Sequence, residues 1–107
     1  MQFPNDSDGG ALKTLYEHGT DFSKPHIVDF FIAVPNKQSG EKILVHVEKY
    51  GFDCSVEQDN ETQDWTCYCS KKMMLVYDDF IKIQELLDQL SKPYGGYSDG
   101  WGVLGGQ

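Results

Sequence analysis

Arginine is absent from this sequence, and all nine basic residues are lysines, whereas aspartate and glutamate together number 17. The formal net charge is therefore -8 at pH 7. A protein that binds nucleic acid directly needs a concentrated positive surface for the phosphates, and base edges are most often read by the planar fork of arginine. The composition therefore disfavours direct nucleic-acid binding.

Long apolar runs are also lacking. No stretch approaches the ~20 apolar residues that a membrane-spanning helix requires. The first residues, MQFPND, lack the basic end and the apolar core of a signal peptide. We therefore expect a cytoplasmic protein that does not bind a membrane.

Cysteine is scarce and odd in number. Cys54, Cys67 and Cys69 cannot complete a disulfide framework within one chain, which fits a reducing compartment. They lie on a predicted hairpin, but zinc prefers four thiolate or histidine ligands, and His46 lies on a helix of undetermined facing. No helix start or basic cluster marks a thiol as an activated nucleophile. Core cysteines are the favoured interpretation, and a thiol or zinc enzyme is the alternative.

What the sequence does contain is enough apolar surface for one core. The 107 residues, 12.1 kDa, fit a single domain, so residues 1–107 are treated as one unit. With 39% hydrophobic and 13% aromatic residues, the chain differs from a disordered acidic chain, which lacks the apolar surface that offsets ordering entropy. We expect it to fold.

The segment from His26 to Val34 is dense in β-branched and aromatic residues and has a proline on either side, which predicts a strand. It is apolar on both faces apart from Asp29, as is typical of a strand at the centre of a sheet. Capping, turn and periodicity signals predict the other elements: an opening helix capped by Asn5 or Asp6, a helix from Asn36 to Gly51, a hairpin pairing residues 52–57 with 65–70, a helix starting at Asp78 or Asp79 and stopping at Pro93, and a final strand from Tyr97 to Val103.

Leaving aside the opening helix, the order is strand, helix, strand, strand, helix, strand. This is the split βαβ arrangement of α+β proteins called ferredoxin-like. It predicts a four-stranded antiparallel sheet with helices on one face, plus the additional N-terminal helix. The other face, with Ile27, Phe31, Thr66 and Tyr68, is open unless the first helix folds across it. A mixed apolar surface of this kind indicates a partner or a cover.

Aromatic residues on such a sheet raise the alternative of RNA recognition, in which bases stack on the central strands. Phe31 and Tyr68 occupy suitable positions. The aromatic-glycine signature expected on the third strand is missing from Trp65 to Cys69, and the charge has the wrong sign. Ordinary packing or protein contact is therefore the favoured interpretation of these rings.

The most distinctive stretch is Tyr97-Ser98-Asp99-Gly100-Trp101-Gly102, an aspartate-glycine step flanked by aromatic residues. It resembles the terminal YDGWG-type motif of the RraB family, which is named for protein regulators of the endoribonuclease RNase E. Three further stretches resemble the wider family, so the likeness covers nearly the whole chain: residues 3–9, FPNDSDG; residues 18–31, from HGTDFSKPH into VDFF; and residues 50–52, YGF.

The resemblance implies a ferredoxin-like domain that regulates by binding protein, with no cofactor and no catalytic residues. It agrees with the charge, because an acidic surface attracts a basic segment of a ribonuclease and favours the right partner. The alternative is a small-molecule-binding regulatory domain of the same topology. Five residues are the candidates for partner binding, three from the motif and two from the open sheet: Tyr97, Asp99, Trp101, Phe31 and Tyr68.

Trp101 also has a structural interpretation. Burial of an indole is a common way to secure the end of a chain. The ring is then expected to anchor the terminal strand, with Asp99 and Gly100 setting a turn conformation next to it.

Overall fold

The computed structural model describes residues 3–103. Its first strand, β1 (His26–Val34), has the predicted bounds. The other strands are β2 (Asp53–Gln58), β3 (Trp65–Met73) and β4 (Tyr97–Val103), and the four form one antiparallel sheet in the order β2-β3-β1-β4. The apolar strand therefore lies inside the sheet, paired on both sides, as predicted.

Three helices complete the fold: α1 (Ser7–Glu17), α2 (Lys37–Glu48) and α3 (Tyr77–Ser91), the last followed by a 3₁₀ turn, Lys92–Tyr94. Asp6 and Asn36 are the N-caps of α1 and α2, and each side chain accepts a backbone N–H three residues on. The prediction that an aspartate begins α3 is wrong by one or two residues, because Val76 is the N-cap. Within residues 3–103, no helix has both the length and the apolar character needed to cross a bilayer.

The helices cover one face of the sheet and bury it. On β1, the side chains of Val28, Phe30 and Ile32 are fully buried. The helices contribute the other large core side chains: Leu12 from α1, Ile43 and Val47 from α2, and Phe80 and Leu87 from α3. Three helices and a four-stranded antiparallel sheet confirm the predicted α+β class, and the element order is compatible with the ferredoxin-like arrangement.

Helix α1 packs on the same side as α2 and α3. Its Leu12 belongs to the shared core, and its N-cap Asp6 accepts a hydrogen bond from the Tyr77 hydroxyl at the start of α3. Asp8, in the first turn of α1, accepts a hydrogen bond from the indole of Trp101 on β4. Because α1 docks at this edge, it leaves the opposite face of the sheet uncovered.

Candidate functional site

The sheet face turned away from the helices is the candidate site, and we call it the open face. Successive side chains of a strand point to opposite faces, so the pairing register identifies its members. They come from all four strands: Ile27, Asp29, Phe31 and Ala33 of β1; Asp53, Ser55 and Glu57 of β2; Thr66, Tyr68, Ser70 and Lys72 of β3; and Tyr97, Asp99 and Gly102 of β4.

Aromatic side chains form the centre of the open face. Phe31 lies opposite Tyr68 in the β1–β3 register, and the two rings meet edge to face with centroids 5.6 Å apart. Ile27 and Tyr97 lie towards the two ends of the face and are 46% and 56% exposed. Apolar surface is therefore accessible along the length of the sheet.

Carboxylates surround this aromatic centre. Asp53, Glu57 and Asp99 are exposed, and Asp29 is half-buried and accepts a hydrogen bond from the Ser70 hydroxyl. Lys72 is the single cation among the open-face members named above. The ion pairs within residues 3–103 join Lys24 to Asp21 and Lys92 to Asp88, away from this face. The open face therefore has a negative field that its one lysine, Lys72, does not neutralise.

A bulge in β4 determines which motif residues reach the open face. The β1–β4 register shifts between Phe30 and Ile32, so Asp99 and Gly100 together lie opposite Phe31. Gly100 has φ +100°, a left-handed conformation that favours glycine. The predicted aspartate-glycine turn is thus a bulge within the strand, and Tyr97 and Asp99 lie on the open face.

Trp101 lies on the other side of the sheet. Its ring packs against Phe80 of α3 with centroids 4.2 Å apart, and its Nε1–H donates to Oδ1 of Asp8 at 2.9 Å. Two of the stretches that carry the family resemblance, around Asp8 and around Trp101, therefore meet in space. Of the five predicted binding residues, the structure brings four together on the open face and places the indole behind the sheet.

The cysteines lie on the helix side of the hairpin. Cys67 and Cys69 are buried, and burial raises the pKa of Cys67 to about 11. The hydrogen bond between Cys69 and Cys54, together with burial, raises the pKa of Cys69, and the same bond lowers the pKa of Cys54. The thiols of Cys67 and Cys69 are accordingly protonated at neutral pH, as core residues are.

The histidines do not join these thiols. His26 is buried at the start of β1 with Nε2 2.7 Å from the carbonyl oxygen of Asp21, and His46 stacks on Tyr94. Across residues 3–103, no three side chains of histidine, cysteine, aspartate or glutamate lie close enough to hold a metal ion. The structure thus offers the zinc alternative no ligand set in that range.

A cavity of about 300 Å³ opens where β1 ends, and the sequence alone does not indicate it. Ala33 lies between Thr66 and Tyr97 in the sheet register, and its small side chain leaves a hollow between larger neighbours. Asp64 and Asp99 also line the cavity. Asp64 lies in the loop before β3, and no sequence motif connects it with Ala33 or Asp99. Only the tertiary fold brings it to the cavity.

The model of the family described as "RraB: Regulator of ribonuclease activity B" matches residues 5–103, nearly the whole chain. None of the curated proteins matches the chain.

Proposed function

The chain belongs to the RraB family, and on that premise we propose that it is a non-enzymatic regulator that binds a ribonuclease through the open face. The family regulates ribonuclease activity, which implies a protein partner. The proposed contact is with a basic, RNA-binding segment of the enzyme, so that the chain competes with RNA for that segment. The free state of its three cysteines fits action in the cytoplasm.

One observation carries this proposal: the open face combines the exposed ring of Tyr97 and the half-buried rings of Phe31 and Tyr68 with carboxylates that form no ion pair with a lysine within residues 3–103. Tyrosine and other aromatic side chains are frequent anchors of protein interfaces, because they bury a large area in few conformations. Carboxylates around the rim accelerate the approach of a basic partner and select against acidic ones. Phe31, Tyr68, Tyr97 and Asp99 supply both kinds of contact.

Trp101 has a different role in this proposal. Its indole holds β4 against α3 and α1 through Phe80 and Asp8, so that it positions Tyr97 and Asp99 without touching the partner. The motif would then combine one packing residue and two contact residues on opposite faces of the same strand.

No specific observation favours the alternative of small-molecule binding. The surface depressions found on residues 3–103 are open to solvent, and charged side chains line each of them. An enclosed apolar pocket with a few converging polar groups is what such ligands require. The flat aromatic surface fits a macromolecule better.

The test is an RNA-cleavage assay with an RNase E-type endoribonuclease that retains its basic segment. We expect the chain to slow cleavage at about 50 mM salt and to slow it much less at about 300 mM, because salt screens contacts between exposed charges. Tyr97→Ala is expected to weaken inhibition. Tyr50→Ala is the matched control, because Tyr50 is 50% exposed but follows α2 on the helix side.

Two outcomes contradict the proposal. Undiminished cleavage at low salt with the chain in excess would show that it does not regulate this class of enzyme. Equal inhibition by the wild type and Tyr97→Ala would move the contact away from the open face.

A further inference from the structure

We propose that the cavity next to Ala33 binds one arginine side chain of the partner's basic segment. The inference rests on the proposed function and deepens it, since it identifies which cation the open face selects and where. The cavity has a volume of about 300 Å³ and is open to solvent on one side. We call it the Ala33 cavity.

The shape of the Ala33 cavity follows from the sheet register. Ala33 is paired with Thr66 on one side and with Tyr97 on the other, so a short side chain lies between two longer ones. Pro35 and Gly95 close the end where β1 leaves the sheet. The result is a recess in an otherwise flat face, which an extended side chain can enter from above.

Two carboxylates approach the Ala33 cavity from different directions. Asp99 comes from the bulge in β4, and Asp64 comes from the loop that leads into β3. Both are exposed, and neither forms an ion pair with a lysine within residues 3–103. Their negative charge is therefore available to an incoming cation.

The loop that carries Asp64 is well ordered by hydrogen bonds. The Asp59 carboxylate accepts the backbone N–H groups of Glu61 and Thr62, and the Asp59 N–H donates to the carbonyl oxygen of Asp64 at 2.8 Å. Asp64 is thus held near the cavity before a ligand arrives. Such preorganisation reduces the entropy lost on binding.

Tyr97 makes arginine a better occupant than lysine. Its ring lines the cavity and is 56% exposed, so a flat cation can stack on it. A guanidinium stacks on aromatic faces and donates in a planar fork to carboxylates, whereas an ammonium is a compact and strongly hydrated charge. Carboxylates from two directions beside one ring match the guanidinium.

The arginine must come from another kind of molecule. This chain contains no arginine, so neither its own residues nor a second copy can supply the guanidinium. RNA-binding segments contact phosphates through arginine and lysine, so a basic segment of the proposed ribonuclease partner is the source that fits. The Ala33 cavity would thereby distinguish segments that contain arginine from lysine-rich ones.

The experiment compares fluorescent hexa-arginine and hexa-lysine peptides by anisotropy with the full chain. We expect the wild type to bind hexa-arginine about tenfold more tightly, and the double variant Asp64→Asn/Asp99→Asn to lose that preference. The matched control is Asp53→Asn/Glu57→Gln, which removes two charges from the β2 side of the same face. This control should weaken the binding of both peptides to the same extent and keep the preference for hexa-arginine.

Three outcomes overturn the Ala33 cavity as an arginine site: equal binding of the two peptides to the wild type, no binding of either, or a preference that survives Asp64→Asn/Asp99→Asn. Inhibition of RNA cleavage by the wild type would still support the proposed function in each case. Thermal melting of both double variants checks that they fold, which is expected because all four side chains are exposed.

Discussion

At the scale of single residues, Trp101 and Tyr97 belong to one motif but have different environments. Four positions apart on β4, with a bulge between them, they lie on opposite faces of the sheet. The indole packs against Phe80 and donates to Asp8, whereas the phenol is exposed. An aromatic residue in a motif can therefore be assigned to binding or to packing only when it is known which face of the sheet its side chain occupies.

Replacing Trp101 tests its packing role. We expect Trp101→Ala to lower the free energy of unfolding by about 3 kcal/mol, because it removes a large ring from its contact with Phe80. Trp101→Phe keeps a ring there and loses the hydrogen bond to Asp8, so its loss should be about 1 kcal/mol. Urea unfolding measures both. Unchanged stability of Trp101→Ala together with lost partner binding would make the indole a contact residue instead.

The sequence predicts that Phe31 and Tyr68 share the open face, because strand alternation and the position of β1 fix the facing of both side chains. It does not predict where Trp101 points. That depends on the bulge, which shifts the alternation of β4 by one residue between Ser98 and Trp101. Asp64 is missed for another reason, since a loop residue reaches the cavity only through the tertiary fold.

At the scale of elements, α2 packs against the hairpin through a glycine. A methyl group on Gly40 would lie 2.8 Å from Cγ1 of Val56 and 3.3 Å from Sγ of Cys67. The Cys67 thiol also donates to the carbonyl oxygen of Gly40 at 3.4 Å. Glycine has a low helix propensity, so Gly40 is unfavourable for α2 taken by itself. Its lack of a side chain permits the close approach of α2 to the sheet.

Gly40→Ala tests this close approach. We expect a loss of about 1–3 kcal/mol, since Val56 is a stiff β-branched side chain that cannot move aside freely. Gly10→Ala in α1 is the matched control, because nothing lies within 4 Å of the added methyl group. Helix propensity should make that change stabilising by up to about 1 kcal/mol. Stabilisation by both changes would contradict the account.

A second contact between elements is a hydrogen bond that connects α3 to β4. Oδ1 of Asp88 accepts the backbone N–H of Ser98 at 3.1 Å, and this bond, with the nearby Lys92, holds the pKa of Asp88 below its ordinary value of 3.8. A carboxyl whose pKa is lower in the folded state stabilises the fold above the unfolded value. That contribution is lost as the pH falls through the folded pKa.

Asp88→Asn removes this titration and keeps an oxygen that can accept from Ser98. We expect the wild type to exceed Asp88→Asn in stability at about pH 5, and the difference to shrink towards about pH 2. Urea unfolding across that range measures the difference. A difference that stays constant with pH would show that the Asp88 charge does not strengthen this contact between α3 and β4.

Most element bounds follow from the sequence because their signals are local. The prolines around β1 and the cap at Asn36 need no tertiary information. The start of α3 is different, since its N-cap, Val76, has no side chain that can accept a capping hydrogen bond. Asp78 and Asp79 lie in the first turn of α3, where their negative charges interact favourably with the positive end of the helix dipole.

At the scale of the whole molecule, the two faces of the sheet differ in what covers them. Three helices bury one face around Phe30 and Phe80, and residues 3–103 provide nothing that covers the other. The protein has a net charge of -8, and the carboxylates of the open face make the uncovered side negative. We expect a basic partner to contact the protein on this face.

The most direct measurement is an NMR titration of the isotope-labelled chain with the basic segment of an RNase E-type enzyme, followed through side-chain signals. We expect the largest shifts for the Ile27 methyl groups and for the rings of Phe31, Tyr68 and Tyr97. The reporters on the helix side, the Val45 methyl groups and the Tyr50 ring, should move little, although both side chains are exposed. Shifts concentrated at Val45 and Tyr50, with Phe31 and Tyr97 unmoved, would contradict this expectation.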